Sequence, residues 1–433
     1  MKKRTILNPA SLSFLADFTR DSIEAARVRP GEQVSRKFPA NTSGCTLIRP
    51  GGRNCYPAVW TQDFSLTLGT GFVTPREVSD HLNLIAGTQN GAEERTLKSG
   101  AVIPPFAIPD HVLFNGKPVF FPGTYSSGED QGGEPWGVTP PTNNHFDFIL
   151  IAHHFWKKTK SIGFLRRKVA GLALIERLRR AFQAPRADPQ SGLIYTDAKR
   201  RAVGFIFCDS IYMTGHLLFA SLLRWRAGQQ LAELEEALGN SRKAEFWRGG
   251  VSAISENLAP TFDEPSRIGG WLMAATEIGR QPDVWGTIYA LYLGLLKGRR
   301  ATAARAEIVK ALDEGTICYR GALRHVPTNH DASKSSAWDK SVTPHNHYQN
   351  GAYWHTPSGW LISVLSRKYP DRARGIFDEM IRQFQEEDFR KGKNFHAPLE
   401  CFGKNGSAQK NPVFLGSVVV PYGVLKQRSE SSC

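Results

Sequence analysis

Residues 376–425 read IFDEMIRQFQEEDFRKGKNFHAPLECFGKNGSAQKNPVFLGSVVVPYGVL. Ile376, Met380 and Phe384 recur at helical spacing with a polar opposite face, and a second apolar run fills 415–427. Between them, 389–414 is a long connection broken by Gly392, Pro398, Gly403 and Gly406. It carries one carboxylate, Glu400, beside His396, Cys401 and Phe402. A solvated surface carboxylate has polar neighbours, and this one has apolar and aromatic ones. The unit of helix, long loop and helix decides the fold, because it recurs along the chain.

The spacing predicts about twelve helical segments: 10–28, 61–70, 77–90, 143–158, 162–182, 209–227, 229–258, 282–297, 301–313, 349–366, 370–388 and 415–427. Some connections are short, as at Lys160-Ser161 and from Lys297 to Arg300. Six others are long: 29–60, 91–142, 183–208, 259–281, 314–348 and 389–414. Long loops alternating with short ones describe stacked helix hairpins with one loop-rich, functional face. No low-complexity linker and no sequence repeat divides the 433 residues, so one all-α domain over 1–433 is the expectation.

The composition is that of a globular protein, with 41% hydrophobic and 22% charged residues. The net charge of +15 admits nucleic acid, an anionic membrane or an acidic substrate as partner. The basic residues are scattered, however. Arg166-Arg167-Lys168 and Arg179-Arg180 fall at the polar positions of helix-like segments, so a solvated face is expected and a nucleic-acid partner is not. No run approaches the ~18 apolar residues of a membrane span. Asn8, Pro9 and Asp17 interrupt the opening stretch that resembles a signal peptide, and the six cysteines are scattered without a C-x-x-C. A reduced, cytoplasmic setting is the expectation, with pairing of Cys45 and Cys55 left open.

Three places hold a carboxylate in an apolar or aromatic setting: YPAVWTQDFSL with Trp60 and Asp63, VGFIFCDSIYMTG with Asp209, and the opening stretch with Glu400. A fourth, NHYQNGAYWHTPSGW, is dense in His, Asn, Gln, Tyr and Trp. Two carboxylates facing across an aromatic-lined pocket are what glycosidic bond cleavage requires. One must be protonated to supply a proton to the leaving oxygen, and the other ionised to act on water or on the sugar. Apolar neighbours raise the pKa of the acid by desolvation.

At these four places the chain resembles the six-hairpin glycosidases, the (α/α)6 barrels of glucoamylase, neutral invertase, trehalase, glycogen debranching glucosidase and the processing α-glucosidases. Trp60-Thr61-Gln62-Asp63 is similar to their W-x-R-D motif, whose Asp binds hydroxyls of the sugar, with Gln62 in place of the Arg. Tyr348-Gln349-Asn350-Gly351-Ala352-Tyr353-Trp354 resembles their Y-x-N-G-x-x-W segment. The resemblance implies an (α/α)6 barrel, Asp209 as general acid, Glu400 as general base, and an inverting glycoside hydrolase that needs no cofactor or metal. It also implies an oligosaccharide or glycoside substrate, held by Trp60, Gln62, Asp63, Tyr348, Gln349 and Asn350. Trp136, in a Gly-rich loop with Glu129, Asp130 and Glu134, is expected to form a platform, and His325 to be a further pocket donor.

Each residue also has a plainer reading. Asp209 with Ser210 could cap a helix. Glu400 could be a buried ion-pair partner, with Lys404 as its cation. Asp63 could anchor its own helix, and Glu134 is a second candidate acid. Trp360 is expected in the core. His345 and His347 have metal-pair spacing but no evident third ligand. Other activities on the same barrel, a phosphorylase, an epimerase or an unsaturated uronide hydrolase, remain open, as does a carbohydrate-binding protein without chemistry.

Overall fold

The computed structural model describes residues 7–36, 38–53, 55–123, 132–263, 270–407 and 409–430. Glu129 and Asp130 lie outside them. The described chain is largely helical, with short antiparallel ladders of two or three strands and no closed sheet.

Two kinds of helix are present. Pro9–Ala26, Pro75–Thr88, Leu174–Gln183, Ser241–Phe262, Gly298–Asp313 and Pro370–Glu386 each bury one face and expose the other. Thr61–Thr67, Asn143–Thr159, Leu218–Ala237, Val284–Tyr292, Ser358–Leu365 and Gly416–Glu430 are buried over most of their surface. A helix apolar all round belongs inside a protein. These six contact one another in chain order, and Gly416–Glu430 packs back on Thr61–Thr67. The amphipathic helices pack against them from outside: Pro75–Thr88 on Asn143–Thr159, Ser241–Phe262 on Leu218–Ala237, and Pro370–Glu386 on Ser358–Leu365. Trp360 sits in this core, with Tyr289 at 4.6 Å between ring centroids.

Four expected helices differ; the one over 229–258 starts only at Ser241, because the preceding helix runs on to Ala237. The segment 162–182 is interrupted: after a short turn of helix, Lys168–Val169 pairs with Leu172–Ala173 around Ala170 and Gly171, both at positive φ, and the helix proper starts at Leu174. The helix expected over 209–227 begins at Leu218, because Tyr195–Thr196 and Gly215–His216 form a ladder and Ile211 bridges to Ser341. It then runs through Gly228 to Ala237; a Cβ at Gly228 would lie 2.6 Å from Val251, so the glycine lets the neighbouring helix approach. The helix expected from 349 starts at Ser358, since Tyr353 bridges to Phe402 and Trp354 to Leu323.

Cys45 and Cys55 are not bonded to each other. Among the described residues no helix is long and apolar enough to cross a membrane.

Candidate active site

Five of the six long connections, all but 259–281, supply described residues to one cavity of about 420 Å³. Asp63, Asp209 and Glu400 all line it, with Trp60, Trp136 and Tyr348 among its aromatic walls. Each carboxylate arrives on a different segment.

Asp63 sits in the first turn of Thr61–Thr67. The strand Ala58–Trp60 before it pairs with His111–Leu113, and the Thr61 amide and hydroxyl donate to the carbonyls of Asp110 and Pro109. Trp60 stacks on His111, with 4.3 Å between ring centroids, and His111 Nδ1 lies 2.8 Å from Asp110 Oδ2. Asp63 Oδ1 is buried and has no hydrogen-bond partner among the described residues. Burial, then the charges of Glu400, Asp110 and Asp147, pushes the Asp63 carboxyl well above the usual range.

Asp209 follows the 3-10 turn Ile206–Cys208. It is the N-cap of no helix: the next α-helix starts nine residues later at Leu218, with Leu217 at its N-cap. Asp209 is only 8% exposed, and its Oδ1 lacks a partner among the described residues. Burial raises its pKa to about 8, against the opposing pull of the Gln349 amide, so at neutral pH the group carries its proton.

Glu400 lies in the strand Leu399–Cys401, paired antiparallel with Lys410–Pro412. Tyr348 Oη donates to Oε1 at 3.3 Å, Asn411 Nδ2 donates to Oε2, and the Tyr56 hydroxyl bonds the carboxylate as well. Lys410, across the same ladder, adds a positive charge at the cavity wall. Burial still raises the Glu400 pKa, but the three donors and Lys410 act against it. Its partners are these and not Lys404.

The other candidates divide. Trp136 lines the cavity and packs so closely on Gly123 that a Cβ there would fall 2.5 Å from its ring. His347 lines it too, while His345 Nε2 bonds Asp331 at 2.9 Å. Among the described residues no three His, Cys, Asp or Glu gather as a metal site. Gln62 is buried beneath the cavity rather than in its lining; its Oε1 accepts from Asn143 at 2.8 Å. Gln349 and Asn350 are also outside the lining, and their amides are engaged with the chain. Gln349 spans the Asp209 turn, accepting from the Ser210 amide and hydroxyl at 2.8 Å each and donating to the Ile206 carbonyl at 2.9 Å. Asn350 accepts from the Ala337 amide and donates to the Thr343 carbonyl, both at 2.8 Å. His325 is stacked on Trp285, 4.0 Å between centroids, away from this cavity. Glu134 is engaged by Arg201 at 2.7 Å.

Sequence reasoning missed Tyr56, Lys410 and Asn411. The Asn405-Gly406 pair was a hairpin signal. Folding the chain back there brings 410–412 beside Glu400.

No protein family matches the chain by sequence, and no curated protein does. Solved structures match it over nearly its whole length. A glucoamylase from Saccharomycopsis fibuligera shares 10% identity at a TM-score of 0.59, covering 100% of this chain and 98% of its own. A GH63 mannosylglycerate hydrolase from Thermus thermophilus, solved with glucose, shares 13% at 0.55, covering 94% and 99%. A GH78 rhamnosidase of Bacillus sp. GL1 shares 13% at 0.54; 98% of this chain is covered but only 35% of the rhamnosidase. These are enzymes of the six-hairpin glycosidase type, and the chain shares their fold.

Proposed function

We propose that the protein is a glycoside hydrolase acting with inversion, on a single (α/α)6-barrel domain formed by residues 1–433. The barrel reading is supported by the six buried helices that contact one another in order and by the solved glycosidases of like fold. One observation carries the chemistry: Asp209 and Glu400, on separate segments, line one cavity, and although burial raises both, only Glu400 has several donors and a cation opposing the rise. Asp209 is protonated to about pH 8, while Glu400 has three hydrogen-bond donors and a lysine to hold its anion.

In this mechanism the Asp209 proton passes to the glycosidic oxygen as the bond to the anomeric carbon breaks. Glu400 takes a proton from a water that attacks the opposite face of that carbon. The products are a sugar of inverted configuration and a free alcohol. Asp63 accepts from sugar hydroxyls through the oxygen that has no partner among the described residues, and Trp60 and Tyr348 pack against the ring. The substrate is a glycoside or oligosaccharide.

Proton NMR of the anomer formed first, over a panel of glycosides, tests this reading. An inverted product is expected. A retained product would overturn inversion, and no hydrolysis of any panel member, with wild type and Glu400→Gln alike inactive, would overturn the hydrolase.

A further inference from the structure

A glycosidase acid stands beside the leaving group, because its proton goes to the departing oxygen. The space beside Asp209 therefore reports what leaves. A second cavity of about 70 Å³ lies beside the first: Ser210, next to Asp209 in the chain, lines both, while Asp209, Asp63 and Glu400 do not line the second. Three segments run from one cavity into the other. Trp136 lines the first, and Pro135 with Glu134 the second. Thr343 lines the first, and Val342 with Ser341 the second. Asp209 lines the first, Ser210 both, and Ile211 with Tyr212 the second.

The polar groups of this second cavity are largely engaged. Glu134 is paired with Arg201 at 2.7 Å, and Lys340 Nζ sits 4.0 Å from the centroid of the Tyr212 ring. The Ser210 hydroxyl donates to Gln349, and the Ser341 hydroxyl lies 3.1 Å from that of Thr343. A sugar bound there would leave several hydroxyls buried without partners, which weakens its binding. What the cavity offers is apolar: Pro135, Ile211 and Val342, the Tyr212 ring being covered by Lys340 and by the Arg201 guanidinium at 4.4 Å. Val342 is 51% exposed, one of three large hydrophobic side chains so exposed among the described residues.

From this adjacency we infer that the leaving group is a small apolar aglycone, aromatic or alkyl, seated against Pro135, Ile211 and Val342, and not a second sugar. The inference rests on the hydrolase reading with Asp209 as acid.

Benzyl and methyl glycosides of the same sugar test it, since both release a primary alcohol of similar acidity and differ in apolar bulk. The wild type is expected to favour the benzyl glycoside in kcat/KM by about tenfold or more. Val342→Asp, at an exposed position that leaves the core intact, is expected to bring the benzyl-to-methyl ratio down by most of that factor. Equal turnover of the two, a preference for a disaccharide over the benzyl glycoside, or a ratio unmoved by Val342→Asp would overturn the aglycone and leave the hydrolase standing. Turnover of no glycoside at all would remove both.

Discussion

Gln349 holds Ser210 by two hydrogen bonds of 2.8 Å, one from the backbone amide and one from the hydroxyl, and its own amide reaches the Ile206 carbonyl on the far side of Asp209. One fully buried side chain thus ties down both flanks of the turn that aims the candidate acid. Asn350 pins the loop that carries Gln349.

Gln349→Leu keeps the bulk and removes all three bonds. It leaves buried donors and an acceptor unmatched, so stability should fall by roughly 1–3 kcal/mol. If Gln349 only supported the fold, kcat would follow the folded fraction. A positioning role predicts more: a further drop in kcat of about 10–100-fold with KM little changed, and a shifted alkaline limb of the pH profile. Folding-corrected kinetics with a melting curve separate the two.

Asp209 must be protonated to act, and burial holds its pKa at about 8. The rate should therefore decline as pH rises through about 8. Stability follows the same proton. Between the unfolded carboxyl value near 4 and the folded value, the native state binds one proton more, so this group's contribution to stability diminishes as pH rises across that window. Asp209→Asn removes the ionisation. It should cost about 10²–10⁴ in kcat, yet raise the melting temperature at pH 8.5 and change it little at pH 4. A melting temperature lowered equally at both pH values would contradict the raised pKa.

The sequence made the helical layers legible because a buried face repeats at 3.6 residues, and the long loops legible because nothing in them repeats. Asp63, Asp209 and Glu400 stood out for their apolar neighbours, which local sequence reveals. Gln349, Asn350 and Gln62 looked equally like sugar ligands, since an amide that holds a loop and one that holds a hydroxyl have the same composition. Only the fold brings Gln349 to Ile206 and Ser210, across about 140 residues. The helix expected at 209 took in Ile211 and Gly215 because they fall in register with Leu218, where the helix in fact begins. Gly215 sits at φ 84° in a ladder with Thr196, a pairing that helical periodicity does not report.

Lys410 stands at the cavity wall, on the strand paired with that of Glu400, and its charge favours the carboxylate anion. Lys410→Met removes that charge. The Glu400 pKa should then rise, and the acidic limb of kcat/KM against pH should move to higher pH by up to about one unit. The alkaline limb, which belongs to Asp209, should stay in place. Lys410→Arg should restore the wild-type acidic limb. If the methionine variant leaves that limb unmoved, Lys410 has no electrostatic role at the base.

Asp63 combines a buried oxygen without a partner among the described residues with a pKa pushed upward by burial and by Glu400. A group selected for stability would not be left in that state; the cost fits an oxygen kept ready for a ligand. Asp63→Asn keeps the shape and removes the charge. Without substrate the variant should melt higher than wild type at neutral and alkaline pH, because the cost of burying the anion is gone. With substrate, a hydrogen-bond acceptor becomes a donor facing the sugar hydroxyls. The penalty for a mismatched buried polar contact is about 1–3 kcal/mol, so kcat/KM should fall by roughly 10–100-fold or more. A variant less stable than wild type at pH 8, with unchanged kcat/KM, would make Asp63 an anchor for Thr61–Thr67 instead of a sugar ligand.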